Sequence, residues 1–371
     1  MKKILSLAVA SALTCGVAMA KEIKVGAVMP MSGPLAAYGQ VTNLGLELAH
    51  KQQPKLKNGD TIKLVLIDNK GDKVETATAT TRLISSDKVV AILGALTSTN
   101  TAQTIAIADK KKVPVIASVA TNDKLTARRT FANRVCFTDS FQGEVVANFA
   151  IESGYKTAVV VIDQAQVYSL GLSKAFQKAF KKKGGKIVKK IKVTSGDKDF
   201  KAVVSQIKKI NPDFMFMPLY HPEASMIARQ SKQLGLQKPM FSGDGVANQT
   251  FIDLGGDSVN GYMFTDFFDY TNPPSQTSAD FVKFHEKETG KAEMNSFTAL
   301  GADTYNILID AMNRCEDPTN SICINEQIKK TNDFDGVSGK ISINNEGNAT
   351  RSAVIKEIRN GKAGFKATVN P

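Results

Sequence analysis

The sequence predicts an α/β fold of two Rossmann-like lobes, each with a parallel sheet, joined by a hinge of several strands. Short apolar runs of strand length alternate with helix-length amphipathic segments along nearly the whole chain, which is typical of parallel α/β layers. The same order of elements occurs twice, from residue 23 and again from residue 157. A chain of 371 residues is long enough for two such lobes.

The first twenty residues have the pattern of a secretory signal peptide. Lys2 and Lys3 form a basic start, an apolar run follows, and small residues lead to Ala20. We therefore expect cleavage after Ala20 and export to the periplasm. Lipidation of Cys15 is the alternative, which the good cleavage site at Ala20 disfavours. No later apolar run reaches the length of a membrane span, so a soluble product is expected.

The chain is basic, with a formal net charge of +13, or +11 without Lys2 and Lys3. In a cytoplasmic protein this balance would suggest a nucleic acid partner. An exported protein meets no nucleic acid, so we interpret the charge as solubility and weak attraction to anionic surfaces, and we expect a monomer. The densest basic run, 181–192, contains no aromatic residues. It favours a solvated helix end over a binding patch.

Three cysteines remain once the signal peptide is removed. Cys315 and Cys323 flank an acidic, proline-containing turn, and an oxidising compartment would allow them to close a short loop as a disulfide. Two unlinked thiols are the alternative. Cys136 lies in an apolar run and is expected to be a buried free thiol.

Elements of the first half follow directly from the apolar runs. Strands are predicted over 23–30, 61–68, 89–94 and 113–118, with helices ending near 50 and covering 73–86 and 102–110. After residue 134 the chain is expected to run extended to 139, where a helix starts.

The second half repeats this plan and then returns to the first lobe. Predicted strands cover 157–163, 186–194, 214–219, 239–242 and 261–265, with helices over 172–182, 199–210 and 223–234. Helices over 278–289, 297–314 and 324–330, a β segment over 336–348 and a final strand over 353–358 complete the chain. We therefore assign 21–138 and 267–345 to lobe 1, and 139–266 and 346–371 to lobe 2, with hinge segments at 137–139 and 265–269.

The strand over 89–94 leads into the most informative stretch of the sequence. It stops at Gly94 and opens into small hydroxyl residues, of which Ser98, Thr99 or Asn100 can cap the next helix. The free N–H groups of a helix start favour an anion, at the strand ends where open α/β sheets bind ligands. The neighbouring strand ends close to Thr121. We therefore predict a seat for a carboxylate.

Other polar residues are predicted at strand ends around the same cleft. Asp244 lies between two glycines, and its alternative role is an Asx turn that satisfies only its own backbone. Tyr38, Tyr168 and Tyr220 offer an apolar ring and a hydroxyl, which suit a small-molecule cleft. His221 has no histidine or cysteine neighbour in a metal pattern and is expected to be a loop residue.

Enzyme signatures are missing from the sequence. It contains no G-x-G-x-x-G after a strand, no phosphate-loop lysine motif and no G-x-S-x-G elbow. None of the three histidines pairs with a nucleophile at a familiar spacing. We expect no enzyme activity, no cofactor and no metal; a secreted α/β hydrolase that uses Asp244 is the rival hypothesis.

Several short segments occur in an order that carries a resemblance. They are Met31-Ser32-Gly33-Pro34 with Tyr38-Gly39, residues 94–101, Ala120-Thr121, Tyr220-His221-Pro222-Glu223 and residues 243–248. Together, over nearly the whole mature chain, they resemble the periplasmic leucine/isoleucine/valine-binding protein family. The resemblance implies a periplasmic binding protein type I fold, capture of a branched-chain amino acid between the lobes, and delivery to an inner-membrane ABC permease. Alternatives are another amino acid or amide as ligand, or a chemoreceptor-coupled sensor.

The resemblance also implies roles for individual residues. Ser98 and Thr121 would hold the ligand carboxylate, while the Val119 carbonyl and Asp244 would take the ammonium group. The ligand side chain would be surrounded by residues of both lobes: Tyr38, Leu96, Thr97, Tyr168, Tyr220 and Phe297. This chain departs from the family pattern in having Asp244 where a glutamate is usual, and in lacking a cysteine at Thr97 with its partner near Gly71.

Overall fold

The computed structural model describes residues 20–371. The predicted signal peptide, apart from its last residue, and Cys15 therefore lie outside the described residues. Within the part of the chain that is described, no helix combines the length and the apolar character needed to cross a membrane.

The first part of the chain builds a parallel sheet. Its strands are β1 (Glu22–Met29), β2 (Thr61–Asp68), β3 (Ile92–Gly94), β4 (Val115–Ala117) and β5 (Ala132–Arg134), and its helices are α1 (Ala36–Gln52), α2 (Lys73–Arg82) and α3 (Ser98–Ala108). The spatial order is β2-β1-β3-β4-β5, and every neighbouring pair is parallel. Val25, Ile92, Leu93 and Ile116 are buried at its centre. We call this sheet with its helices lobe 1.

The middle of the chain builds the larger sheet of lobe 2. Its helices are α4 (Asp139–Glu152), α5 (Val167–Lys182), α6 (Lys201–Ile210), α7 (His221–Gln233) and α8 (Gln249–Gly255), and its strands are β6 (Thr157–Asp163), β7 (Lys186–Val193), β8 (Phe214–Phe216), β9 (Met240–Ser242) and β10 (Met263–Asp266). A short 3₁₀ turn, Asp244–Val246, follows β9. The predicted alternation of strand and helix is thus present; α8 was not predicted.

The last part of the chain returns to lobe 1 before ending in lobe 2. It forms α9 (Gln276–Thr289), α10 (Ser296–Asn313), α11 (Ser321–Lys329), β11 (Phe334–Gly336), β12 (Gly339–Ile343), β13 (Ala349–Thr350), β14 (Ala353–Arg359) and β15 (Lys362–Val369). Helix α10 packs closely on α1 at Gly45, which has no side chain. A β-carbon at this position would lie only 1.9 Å from the Thr298 carbonyl oxygen. The exact lobe boundaries assigned from the sequence stay predictions.

The sheet of lobe 2 is mixed rather than parallel throughout. Its order is β15-β14-β10-β9-β8-β6-β7, with β14 antiparallel to β10 and β15 antiparallel to β14. The predicted strand over 353–358 is present as β14, but the prediction that it is the final strand was wrong, because β15 follows it. Asn360 and Gly361, with φ of 51° and 74°, form a two-residue turn that sends the chain back as β15.

Several helix starts differ from the prediction, and three of them concern residues of the predicted cleft. Helix α3 begins at Ser98, so its cap is Thr97, whose Oγ1 accepts a hydrogen bond from the Asn100 N–H at 3.3 Å. Helix α5 begins at Val167, five residues before the predicted start. His221 is the first residue of α7 rather than a loop residue, and proline directly after it suits a helix start.

Three chain segments connect the lobes, and one buried cation contacts all of them. Arg351, in the segment between β13 and β14, donates to the carbonyl of Val135 at 3.4 Å and to the carbonyl of Phe267 at 2.9 Å. Val135 follows β5 and Phe267 follows β10. Arg351 also donates to Ser338, whose hydroxyl is held by the buried carboxylate of Asp303. A single guanidinium therefore links the three connections.

The cysteines divide into a pair and a single thiol. Cys315, just after α10, and Cys323, in the first turn of α11, form a disulfide, as predicted. Cys136 is free and buried, as predicted, and burial raises the pKa of its thiol to about 12.

Candidate functional site

A closed cavity lies between the lobes, at the carboxyl ends of strands from both sheets. Its lining residues are Tyr38, Leu96, Thr97, Ser98, Val119, Tyr168, Tyr220, Asp244, Gly245 and Phe297. Nine of these are among the ten residues that the resemblance implies as ligand-binding; Gly245 was not predicted, and Thr121 lies outside the lining.

Lobe 1 contributes neutral hydroxyl groups at a helix N-terminus. Because Thr97 caps α3, Ser98 occupies the first turn of that helix beside the cavity. The Ser98 hydroxyl oxygen accepts from the Asn122 N–H at 3.4 Å, which leaves the hydroxyl proton available to donate. Thr121 is fully buried, and its Oγ1 has no hydrogen-bond partner within residues 20–371. Hydroxyl donors and a helix N-terminus suit a carboxylate.

A buried arginine supports the Thr121 loop from behind. Arg134, at the end of β5, donates to the Ala120 carbonyl at 3.0 Å and to the Asn122 carbonyl at 2.8 Å. Its side chain is fully buried, and burial lowers the pKa of the guanidinium. The two carbonyls on either side of Thr121 are thus held by one cation. The sequence analysis did not identify this residue.

Lobe 2 contributes a buried carboxylate. The Asp244 backbone N–H donates to Gln142 Oε1 at 2.7 Å, and the Thr265 hydroxyl donates to the same oxygen at 2.6 Å. Asp244 Oδ1 has no partner among the described residues. Burial, helped by the nearby carboxylate of Asp266, raises the pKa of Asp244 to about 7. A carboxylate in such a place favours a cationic partner, because an unpaired buried charge is costly.

Aromatic side chains form the walls between these two polar ends. The Tyr168 ring stacks on Tyr220 with 5.2 Å between centroids, and its hydroxyl accepts from the Gly245 N–H at 3.0 Å. Phe297 lies 5.6 Å from the Tyr38 ring. Burial raises the pKa of both the Tyr168 and the Tyr220 hydroxyls well above the usual value. The walls are therefore uncharged and largely apolar.

Tyr38 connects the lobes across the cavity. It lies on α1 of lobe 1, and its hydroxyl accepts from the His221 N–H at 3.0 Å and donates to the Gly245 carbonyl oxygen. The His221 ring is 4.8 Å from the Tyr38 ring, and burial lowers the pKa of this histidine to about 4. His221 is therefore neutral at physiological pH and packs against Tyr38. No group of three or more potential metal ligands occurs among the described residues.

Further hydrogen bonds join the lobes at the rim of the cavity. The Val167 N–H donates to Thr99 Oγ1 at 3.1 Å, and Thr99 Oγ1 donates to Gln166 at 2.9 Å. Asn122 Nδ2 donates to the Val167 carbonyl at 3.0 Å. The first turn of α5 in lobe 2 is thus held by side chains of lobe 1, and the cavity is closed.

The comparisons with known proteins agree with this architecture. Residues 22–363 match the family model described as periplasmic binding protein. The Leu/Ile/Val/Thr-binding protein of Salmonella typhimurium is 31% identical over 306 residues, covering 81% of this chain and 82% of the relative.

Solved structures of similar proteins include two with branched-chain ligands in their descriptions. A leucine binding protein LivK from Thermotoga maritima is 36% identical, with a TM-score of 0.92 over 94% of this chain and 99% of that one. LivJ from Streptococcus pneumoniae, in complex with isoleucine, is 31% identical, with a TM-score of 0.88 over 95% and 100%. A solute binding protein from R. palustris in complex with benzoate shares the fold at 22% identity, with a TM-score of 0.85 over 94% and 97%.

Proposed function

Because this chain belongs to the periplasmic binding protein family, we propose that it captures leucine, isoleucine or valine between its lobes and delivers the amino acid to the permease of an ABC importer. The proposal includes export by the signal peptide over residues 1–20, action as a monomer in the periplasm, and no nucleic acid partner. The relatives described above are solute-binding proteins.

One observation carries the ligand class in this proposal. Hydroxyl groups of Ser98 and Thr121 lie on the lobe 1 side, and the buried carboxylate of Asp244 lies on the lobe 2 side. An α-amino acid is a zwitterion with the complementary charges one carbon apart. The carboxylate would be held by Ser98, Thr121 and backbone N–H groups of α3, and the ammonium by Asp244 and the Val119 carbonyl.

The walls support an apolar side chain on that amino acid. Tyr38, Leu96, Thr97, Tyr168, Tyr220 and Phe297 surround the remaining space, and none of them is ionised near neutral pH. A charged side chain would lose its hydration there without gaining a partner. The cavity therefore favours branched aliphatic side chains over acidic or basic ones.

Simple carboxylates such as benzoate are the second ligand class to consider, since a neighbour of the same fold is described with benzoate. Benzoate would leave Asp244 without a cation and would add a second anion to a buried site. Asp244 would then have to stay protonated, which its pKa of about 7 allows only in part. The buried carboxyl group of Asp244 therefore favours an amino acid over benzoate as the ligand.

The binding step follows from the lobe contributions. An open cleft loads the carboxylate onto lobe 1, and closure brings Tyr168, Tyr220 and Asp244 from lobe 2 onto the ligand. Ligand shifts the population toward the closed form, and the permease would recognise that form. No bond is made or broken in this cycle.

A thermal-shift screen over the twenty amino acids, benzoate and 4-methylpentanoate tests the proposal. We expect leucine, isoleucine and valine to raise the melting temperature, because a ligand at about 100 times its Kd stabilises by about 2.7 kcal/mol. Stabilisation by benzoate and not by any amino acid would contradict the ligand class. Turnover of peptides, amides or esters beyond one equivalent would contradict a binding role and favour the hydrolase hypothesis.

Transport and sensing require a genetic test. Deletion of the neighbouring permease genes should abolish growth on leucine if the protein serves import. Loss of taxis toward leucine with normal growth would instead identify a chemoreceptor-coupled sensor.

A further inference from the structure

Nine exposed lysines lie on one edge of lobe 2, within 19 consecutive residues. They are Lys174, Lys178, Lys181, Lys182, Lys183, Lys186, Lys189, Lys190 and Lys192. Neither an acidic residue nor an arginine occurs between Asp163 and Asp197. None of the nine lysines forms an ion pair with any described residue. We call this surface the lysine face.

Two elements bring lysines of this face together. On α5 the spacing of 174, 178, 181 and 182 places four lysines on one stripe, opposite the buried Phe176 and Phe180. On β7 the alternate residues Lys190 and Lys192 share one side of the sheet. Lys174, Lys190 and Lys192 line the same surface groove, of about 510 Å³. The positive charge is therefore concentrated rather than scattered.

Two ordinary explanations cover only part of the lysine face. β7 is the outermost strand of its sheet, and lysines on an edge strand discourage pairing with other chains. Lysines at the end of α5 also suit the helix dipole and match the solvated helix end that the sequence favoured. Neither explanation applies to Lys174 and Lys178, which lie in the middle of α5 and outside the sheet.

We propose that the lysine face docks the protein on an anionic phospholipid bilayer. Each lysine near such a surface contributes about five-fold in affinity. The composition favours lipid over a protein partner, because protein interfaces are enriched in arginine and aromatic residues and depleted in lysine. Arginine is also the residue preferred for paired, bidentate contacts, whereas lysine is a strongly hydrated point charge suited to a diffuse field.

Docking through this face leaves the ligand cavity free. Tyr168, in the first turn of α5, lines the cavity. Lys182 follows fourteen residues later on the same helix, and at about 1.5 Å per residue it lies about 20 Å away. The end of the lysine face at Lys182 is therefore well separated from the cavity, and the proposal does not depend on which ligand binds.

Vesicle co-sedimentation of the purified protein tests this docking. We expect binding to vesicles that contain phosphatidylglycerol and not to pure phosphatidylcholine vesicles. Binding should fall about ten-fold or more between 0.1 M and 1 M salt, because the screening length shortens from about 10 Å to about 3 Å. Failure of the wild-type protein to bind anionic vesicles would overturn the proposal and leave an acidic protein partner or solubility as the role of the face.

Charge reversal with a matched control distinguishes the effect of the lysine face on vesicle binding from the effect of the protein's net charge. The variant Lys178→Glu, Lys182→Glu, Lys190→Glu should lose at least about ten-fold in vesicle binding. The control Lys110→Glu, Lys111→Glu, Lys283→Glu changes three exposed lysines of lobe 1 by the same charge and should stay within about two-fold of wild type. Equal losses in the two variants would overturn the proposal.

Folding of both variants is checked by the melting temperature and the circular dichroism spectrum of the unliganded protein, which should stay close to those of wild type. If the charge-reversed variant fails to fold, the neutral variant Lys178→Gln, Lys182→Gln, Lys190→Gln replaces it. This neutral variant should still bind anionic vesicles less tightly than a glutamine version of the control, and the absence of any difference would equally overturn the proposal.

Discussion

The two lobes share a strand–helix plan but present opposite chemistry to the cavity between them. Lobe 1 offers neutral hydroxyls at the start of α3 and beside β4, with no carboxylate among the lining residues. Lobe 2 offers a buried carboxylate, Asp244, held by a side chain of α4. Neither lobe alone complements a zwitterion, because each lobe complements only one of the two charges of such a ligand.

The two lobes also differ in the free energy that it costs to bury their polar groups when no ligand is bound. Neutral donors can be buried without ligand at the expense of a hydrogen bond, whereas a buried carboxylate without a cation is penalised more heavily. In the proposed function, lobe 2 would therefore carry the larger share of the discrimination between ligands, and lobe 1 would carry the affinity that every carboxylate ligand receives. Substitutions on the two sides of the cavity should therefore differ in their effects on leucine binding.

Asp244→Asn should weaken leucine binding by about 2–3 kcal/mol, roughly 30- to 150-fold, because it removes a charge-assisted hydrogen bond to the ammonium. Isothermal titration with leucine measures the loss. 4-Methylpentanoate, which lacks the amino group, should bind wild type poorly and lose little on the same substitution. Equal losses for the two ligands would make Asp244 a structural turn residue and break the comparison.

A folding control accompanies this substitution. The pKa of Asp244 is raised in the fold, so the stability from this group is present below the unfolded pKa near 4 and is lost as the pH rises toward 7. Asp244→Asn should therefore stabilise the unliganded protein at pH 8 and not at pH 4. Denaturant unfolding that shows destabilisation at pH 8 would mean that the variant damages the fold.

Leucine affinity should depend on pH through Asp244. The ammonium pairs with the ionised carboxylate, and the pKa of that group in the cavity is about 7. Affinity should therefore fall up to about ten-fold per unit as the pH drops below 7 and change little above it. Calorimetry between pH 5 and pH 8 measures the slope, and Asp244→Asn should be flat. A pH dependence that survives in Asp244→Asn would assign the titration to another group.

Ser98→Ala should cost less than the change at Asp244, about 0.5–1.5 kcal/mol for leucine, because backbone N–H groups of α3 and the Thr121 hydroxyl remain. In contrast to Asp244→Asn, the loss should be the same for leucine and 4-methylpentanoate, since both carry the carboxylate. Titration of both ligands checks this. A loss confined to leucine would place the ammonium on lobe 1 and reverse the comparison.

Tyr38→Phe should have the smallest effect, a loss of about 1 kcal/mol or less in leucine affinity. It removes a hydroxyl that contacts His221 and Gly245 across the cavity and keeps the ring in place. The change should appear as faster leucine release, because the bonds form only in the closed state. Stopped-flow kinetics that show slower association with unchanged release would contradict a closure role.

Sequence patterns predicted the strands and the ligand-binding loops because these depend on local order. Strand-length runs such as Thr61–Asp68 and Thr157–Asp163 were placed to the residue. Residues that follow parallel strands meet at one edge of their sheet, so strand order alone predicted that Ser98, Tyr220 and Asp244 would face the cleft. The family resemblance, and not the strand pattern, implied Leu96, Thr97, Val119 and Phe297, which also line the cavity. Whether these residues bind a ligand stays a prediction.

The start of α5 could not be predicted because its cap comes from the other lobe. Gln166 supplies no cap to its own helix. The Val167 N–H donates instead to Thr99 Oγ1 of lobe 1, and no local signal can record a partner 68 residues away. Tyr168 therefore lies in the first turn of a helix rather than in a loop, where sequence reasoning had placed it.

The supporting residues were missed for a similar reason. Gln142 fixes the backbone of Asp244 from 102 positions away, and Arg134 holds two carbonyls of the Thr121 loop. In the sequence, Gln142 on a helix and Arg134 at the end of a short strand look like surface residues. Only the structure shows that both side chains are buried. By contrast, the turn before β15 did carry a signal, the Asn-Gly pair at 360–361, which was overlooked.

The buried guanidinium of Arg351, which contacts all three connections between the lobes, affects how this protein can change over evolutionary time. Arg351 is buried with Ser338 and Asp303, and its guanidinium holds carbonyls of both other connections. Loss of any one member leaves a buried charge or polar group unpaired, so single substitutions there are strongly coupled. The apolar wall residues Leu96 and Phe297 have no polar side-chain group that a substitution could leave unpaired. We therefore expect descendants of this chain to change their ligand preference through single substitutions of such wall residues. Arg351, Ser338 and Asp303 should instead be kept together or replaced together.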